Sequence, residues 1–247
     1  MRAWLESFVV AFFAAGALLV ALRPDPVLRR GSLSYVEMLE RYAMQNGAGA
    51  LIAADDLVSI VQNPVNIWLW GLLIAVMLSC AAYIALRWQS GFPRRLPVLV
   101  LLGLAAGAVW PWISTASPAL GMTLALGAPV GVVAGLLTDP EPTEPVDWPL
   151  GLIAGWLTVG ATGAAVALAR LHLNLQSELA ALCGLLALSL IGAQVQLWLG
   201  NNVTYALAII WAMLGVAVAS LGLSTTLSTA CVLGIATMAV VLVRVTT

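Results

Sequence analysis

"NNVTYALAIIWAMLGVAVAS", residues 201–220, opens on two adjacent amides and then runs apolar. From Val203 onward no residue of the stretch carries a charge. A helix of about 20 mostly apolar residues is what crosses a bilayer. Asn201 and Asn202 read as its boundary, and Tyr205 and Trp211 interrupt an otherwise aliphatic surface. The fold follows from how often this pattern recurs.

Working outward, seven further apolar runs emerge, so the expected spans are 3–22, 65–87, 96–114, 117–137, 149–170, 178–199, 203–222 and 225–243. The separators are loops that cannot stay in lipid. "RPDPVLRRGS" follows the first span, "RWQSGFPRRLP" the second, "STASP" the third and "TDPEPTEPVDWP" the fourth. Their prolines and charges end helices and demand water. "GNN" and "LGLSTT" are so short that the last three helices should be antiparallel neighbours. The expected fold class is therefore all-α, a polytopic transmembrane bundle of about eight spans. The expected division is an N-terminal helix at 1–22, an extramembrane loop at 23–64, a bundle at 65–222 and a C-terminal helix at 223–247.

Composition agrees. Of 247 residues, 62% are hydrophobic and 9% charged, with mean hydropathy +1.02. Soluble domains carry about 25% charged residues. All ten basic residues are Arg, spread over loops, and they form no nucleic-acid-binding tract. Cys80, Cys183 and Cys231 sit apart inside apolar runs, as small core residues rather than a disulfide or metal set. The first helix lacks a convincing cleavage site and is expected to be retained. Arg87, Arg94 and Arg95 in one short loop place that loop, and with it both termini, in the cytoplasm of a bacterial inner membrane.

The long loop carries "SYVEMLERYAMQNG", with capping-box spacing at Ser34 and Glu37, and "ADDLVSIVQN", with Asp55 and Asp56 in its first turn. One or two amphipathic helices are expected there, as a structural lid or, alternatively, a docking or gating element.

Catalytic and metal patterns are missing. There is one His, no Cys-x-x-Cys and no phosphate-cradling glycine loop, so no enzyme is expected. Glu6 and Glu178 stand near helix ends, within reach of headgroups. His172, at or beyond the end of the fifth span, reads as headgroup-facing rather than as a ligand to a tetrapyrrole metal. Trp4, Trp68, Trp88, Trp148 and Trp198 fall near helix ends, as an interfacial belt does. Trp70, Trp110, Trp112, Trp156 and Trp211 are less simply placed. An indole there wants a hydrogen-bond partner or a flat ligand. Gln194 and Gln196 lie on different faces of the sixth span; Gln194 is expected to face other helices and Gln196 to reach the interface. Gly103–Gly107, Gly131–Gly135 and Gly151–Gly155 are small-xxx-small pairs, serving packing within the chain or a homodimer face.

Two stretches resemble the tryptophan-rich sensory proteins of the TspO/MBR (translocator protein) family. In "TYALAIIWAMLGVAV", Tyr205, Ala206, Leu207, Trp211, Ala212 and Gly215 match the family's penultimate helix. In "PLGLIAGWLTVGATGAAVA", Pro149, Leu152, Gly155, Trp156, Thr158 and Val159 match its Gly-Trp helix. "NIWLWGLLIAVMLSCAAYIAL" is similar to its Trp-Gly-Leu helix. The resemblance covers residues 65–222, and it departs where the family carries Asn and this chain has Ala164. It implies a TspO-like core with flanking helices, binding a tetrapyrrole or carotenoid-like isoprenoid pigment in a sensory or regulatory role. Its matched stretches hold the candidate site residues Trp156, Trp211 and Tyr205, to which the polar Gln194 and the less simply placed Trp110 are added as candidates. The alternative is a structural or assembly subunit of a larger, pigment-bearing (photosynthetic) membrane complex, and a small-solute transporter is a weaker third. The expected partners are the lipid bilayer and a homo-oligomer or such a complex.

Overall fold

Inside a bilayer each backbone N–H and C=O must find its partner within the protein, and a single apolar segment can do so only as a helix. The computed structural model describes residues 2–22, 66–89, 96–114, 117–138, 147–173, 175–200, 202–221 and 224–247. Among them are eight helices and no strand: α1 (Arg2–Ala21), α2 (Ile67–Gln89), α3 (Val98–Ile113), α4 (Pro118–Leu137), α5 (Asp147–Leu173), α6 (Ser177–Leu199), α7 (Val203–Ser220) and α8 (Thr225–Thr246). Each coincides with an expected span. Seven are long and apolar enough to cross a membrane; α3, with 16 residues, is the shorter exception. The amphipathic pieces expected at 23–64 lie outside the described residues.

Helix ends follow local chemistry. Pro118 opens α4 at a position where its missing N–H costs nothing. Ser224 caps α8 by accepting from the Leu227 N–H at 3.3 Å. Gly200, at φ 57° and ψ −114°, takes a positive-φ conformation that suits glycine, where α6 ends and the tight turn into α7 starts.

Cross-helix contacts fix the directions. The start of α1 meets the end of α2 through Glu6 and Arg87, and the Leu96 amide, just before α3, bonds the same carboxylate. Along α3 and α4, Gly135 packs on Val100 while Gly121 packs on Ser114, so the two are antiparallel. The start of α2 lies on the second half of α7: Asn66 Nδ2 donates to the Gly215 carbonyl at 2.7 Å. Thr204, at the start of α7, donates to the Trp148 carbonyl at the start of α5, so these two run parallel. Glu178 at the start of α6 accepts from Ser224 at the start of α8. Successive helices therefore alternate in direction, and the start of α1 and the end of α8 share one end of the bundle, the terminus face.

One continuous core joins Val10 and Phe13 of α1 to Leu227, Cys231 and Met238 of α8. The first and last helices are thus part of the bundle rather than appendages to 65–222. α5 is its axis: every residue from 149 to 163 is buried. All six glycines of the small-xxx-small pairs are turned onto neighbours within the chain. Gly103 and Gly131 meet at the crossing of α3 and α4, where a Cβ on Gly131 would stand 3.0 Å from the Gly103 Cα. Gly107 faces Phe13 and Leu157, Gly135 faces Val100, and Gly151 and Gly155 face α7. Such contacts need backbones closer than a side chain allows.

The tryptophans near helix ends are exposed. Trp4, Trp88, Trp148 and Trp198 are exposed at the terminus face and Trp68 at the opposite face, where Trp112 joins it.

Candidate functional site

The five candidate ligand residues lie on four helices: Trp110 on α3, Trp156 on α5, Gln194 on α6, and Tyr205 and Trp211 on α7. Trp156, on the axial helix α5, is 2% exposed, and its indole N–H has no hydrogen-bond partner among the described residues. Its ring meets Phe13 of α1 edge-on, with centroids 5.8 Å apart. Tyr205 is fully buried on the α5–α7 seam, its hydroxyl 3.3 Å from Thr158 Oγ1. Thr158 also donates to the Ala154 carbonyl one turn back, at 2.8 Å. Trp211 is half-buried against α2: its indole N–H donates to the Trp68 carbonyl at 2.9 Å, and its ring fills the space over Gly71. Trp110 is buried near the end of α3, beside Pro111. Tyr205 and Trp211 are thus held by protein groups, whereas the Trp156 indole N–H is not.

The two glutamines exchange the places expected of them. Gln194 is exposed on the outer face of α6, and Gln196 is 0% exposed. The Gln196 amide N–H groups donate to the carbonyls of Gly200 and Asn202 at 2.8 and 3.3 Å, and its oxygen accepts from the Ala206 N–H at 3.1 Å. It ties the α6–α7 turn to the first turn of α7. Thr204 extends the knot to Asn202 and to the Trp148 carbonyl. A buried amide is tolerable only when satisfied in this way.

Glu6 corrects its expectation too. Instead of reaching headgroups it is buried, with Arg87, in an ion pair of 2.7 Å, its second oxygen accepting from the Leu96 N–H at 3.2 Å. Trp88, next to Arg87 in the chain, donates to Ser7 Oγ at 3.2 Å and lies edge-on to Trp4. Charges inside membranes persist when paired and hydrogen-bonded. Glu178 is held by the cap residue of α8, at 2.7 Å from Ser224 Oγ. His172 falls in the last turn of α5, and its side chain lies outside the described residues. Cys80 and Cys231 are buried and Cys183 is exposed; all three are free thiols. Among the described residues no group of three or more His, Cys, Asp or Glu could hold a metal ion.

Fold and site together define a multi-pass helical membrane protein with a polar knot and an ion pair near its terminus face and an unpaired donor on its axis. No family model, no curated protein and no solved structure matches the chain.

Proposed function

We propose that this is a non-enzymatic protein of the bacterial inner membrane, both termini cytoplasmic, that binds a hydrophobic small molecule against Trp156. One observation carries the reading: the axial helix, buried from 149 to 163, presents an indole N–H that no group among the described residues takes. An unsatisfied buried donor costs about 1–3 kcal/mol, which a bound acceptor recovers. The resemblance of 149–167 and 204–218 to TspO-type helices supports a tetrapyrrole or isoprenoid pigment as the ligand class and a sensory or regulatory role. Trp211 and Tyr205 serve this site indirectly, by fixing α2 and α7 around α5.

The test is extraction from the native membrane in mild detergent, with the visible spectrum and the particle size recorded together. A pigment band on a small particle, weakened by Trp156→Ala, is the expected result. No band, with no tryptophan quenching after added porphyrin, sinks the pigment reading.

Gln194 favours a second reading, a structural or assembly subunit of a larger, pigment-bearing membrane complex. Its amide is exposed and makes no hydrogen bond among the described residues. It shares the outer face of α6 with Leu186, Leu190 and Leu197. An amide facing lipid is costly, and a partner helix offering a polar group relieves that cost. A large particle on gentle extraction, dispersed by Gln194→Leu, supports this reading; a small free species counts against it.

A further inference from the structure

The six glycines of the small-xxx-small pairs are spent inside the chain, so a second copy needs another face. The outer side of α6 has the pattern for one. Cys183, Ala187, Leu190, Gln194 and Leu197 recur at intervals of four, three, four and three residues. That is the heptad repeat by which two helices pack along a left-handed seam. Cys183, Leu190, Gln194 and Leu197 are exposed, and Ala187 is half-buried. Leu186 and Ile191 flank the stripe and are exposed too. The small Ala187 at its middle lets a partner helix come close.

Gln194 separates this stripe from an ordinary lipid-facing one. The exposed hydroxyls of Thr229 and Thr237 on α8 donate to carbonyls one turn back, at 2.8 and 2.9 Å. The Gln194 amide makes no such bond among the described residues. The near headgroups are no easy outlet. Gln194 lies one turn, about 6 Å, inside the exposed Trp198. Helix side chains lean toward the N-terminus, which for α6 is at the opposite face.

An amide is its own complement, carrying two N–H donors and an acceptor oxygen. Across a twofold axis along the membrane normal, two copies of Gln194 meet, and each donates to the other's oxygen. A different partner has to bring a matching polar group; a second copy brings it by symmetry. One polar residue at a core position of a heptad seam also fixes its register. We propose that α6 is a homodimer seam, in which the parallel α6 helices of two copies pack through Cys183, Ala187, Leu190 and Leu197 and pair Gln194 with Gln194. This rests on the reading of Gln194 as a contact for a partner helix, and it names that partner as the chain itself.

Two measurements on the full chain test the seam. Sedimentation equilibrium of the purified protein in mild detergent is expected to show a dimer. Its dissociation constant should rise about tenfold in Gln194→Leu, the worth of the reciprocal amide pair, and stay near the parent's in Gln194→Asn. Cross-linking is the second measurement. Cys80 and Cys231 are buried, so the exposed Cys183 thiol reports the seam in the unaltered chain. A short bismaleimide added to membranes should join two chains of the parent and none of Cys183→Ser. In that background Leu190→Cys, one heptad on, should restore the link, while Val240→Cys, on the exposed side of α8, should not. Should Gln194→Leu fail to fold, the cross-linking pattern decides alone. A monomer at every concentration overturns the seam, as does a dimer whose strength ignores Gln194→Leu. Particle size on gentle extraction from the native membrane tests the larger-complex reading separately. A large particle of several polypeptides, with a monomeric purified chain, keeps that reading and overturns the homodimer; a dimer in both preparations does the reverse.

Discussion

At the scale of single residues, the buried polar groups carry the sharpest expectations. Glu6 and Arg87 are each almost wholly enclosed, so removing one partner strands the other's charge. Glu6→Gln should lower stability by about 3–5 kcal/mol, while the double replacement Glu6→Leu with Arg87→Met should recover most of the loss. Thermal unfolding in detergent, arranged as a double-mutant cycle, checks this; equal losses in the single and double variants would contradict it. Gln196→Leu should cost about 1–3 kcal/mol by orphaning the Ala206 N–H, and Gln194→Leu should cost the monomer nothing. The sequence held a signal for this pair. Ala181, Leu185, Leu188, Gly192 and Gln196 recur at helical spacing and form the buried side of α6, whereas Gln194 falls in step with Leu186, Leu190 and Leu197 on the exposed side. The Glu6–Arg87 pair was less legible. Its residues belong to helices joined by a long loop that hides their register, and a charge read along one helix looks like a headgroup contact.

At the scale of helices, the boundaries were legible because proline, arginine and acidic loops cannot enter lipid, and every expected span coincides with a helix. What hydropathy could not supply was the pairing of faces, which the glycines decide. A Cβ at Gly155 would stand 2.6 Å from the Tyr205 carbonyl, on backbone that cannot yield. Gly155→Ala should therefore destabilise by about 1–3 kcal/mol. Gly127, with nothing within 4 Å of a Cβ, is the matched control, and Gly127→Ala should leave the melting temperature unchanged. Equal shifts in the two variants would mean that the α5–α7 contact is looser than described. The surroundings of Trp156, Trp211, Tyr205 and Trp110 were hidden for the same reason. Each residue type was visible in the sequence, but the rotation of each helix about its axis was not.

At the scale of the whole molecule, eight alternating helices return the chain to the face from which it started. Reporters fused to either end should therefore agree. A fluorescent protein should be bright at both termini and alkaline phosphatase inactive at both, if the arginine-bearing loop is cytoplasmic. Reporters on opposite sides would remove one crossing, and α3, the shortest helix, would be the first suspect. The short connections announced α6, α7 and α8 as neighbours. The parallel contact of α5 with α7 was invisible, because its two partners are separated by a complete crossing.

That separation has a consequence for how the protein is made. As the ribosome delivers the chain, α5 reaches the bilayer before the helix that will cover its Gly151–Gly155 side has been synthesised. Its hydroxyls cannot yet lean on Tyr205. Thr158 and Thr162 instead donate to carbonyls of their own helix one turn back, at 2.8 and 2.9 Å. The helix that ends as the most enclosed part of the finished protein is thereby equipped to wait in lipid, with no hydroxyl proton unshared, until α7 arrives to close the seam.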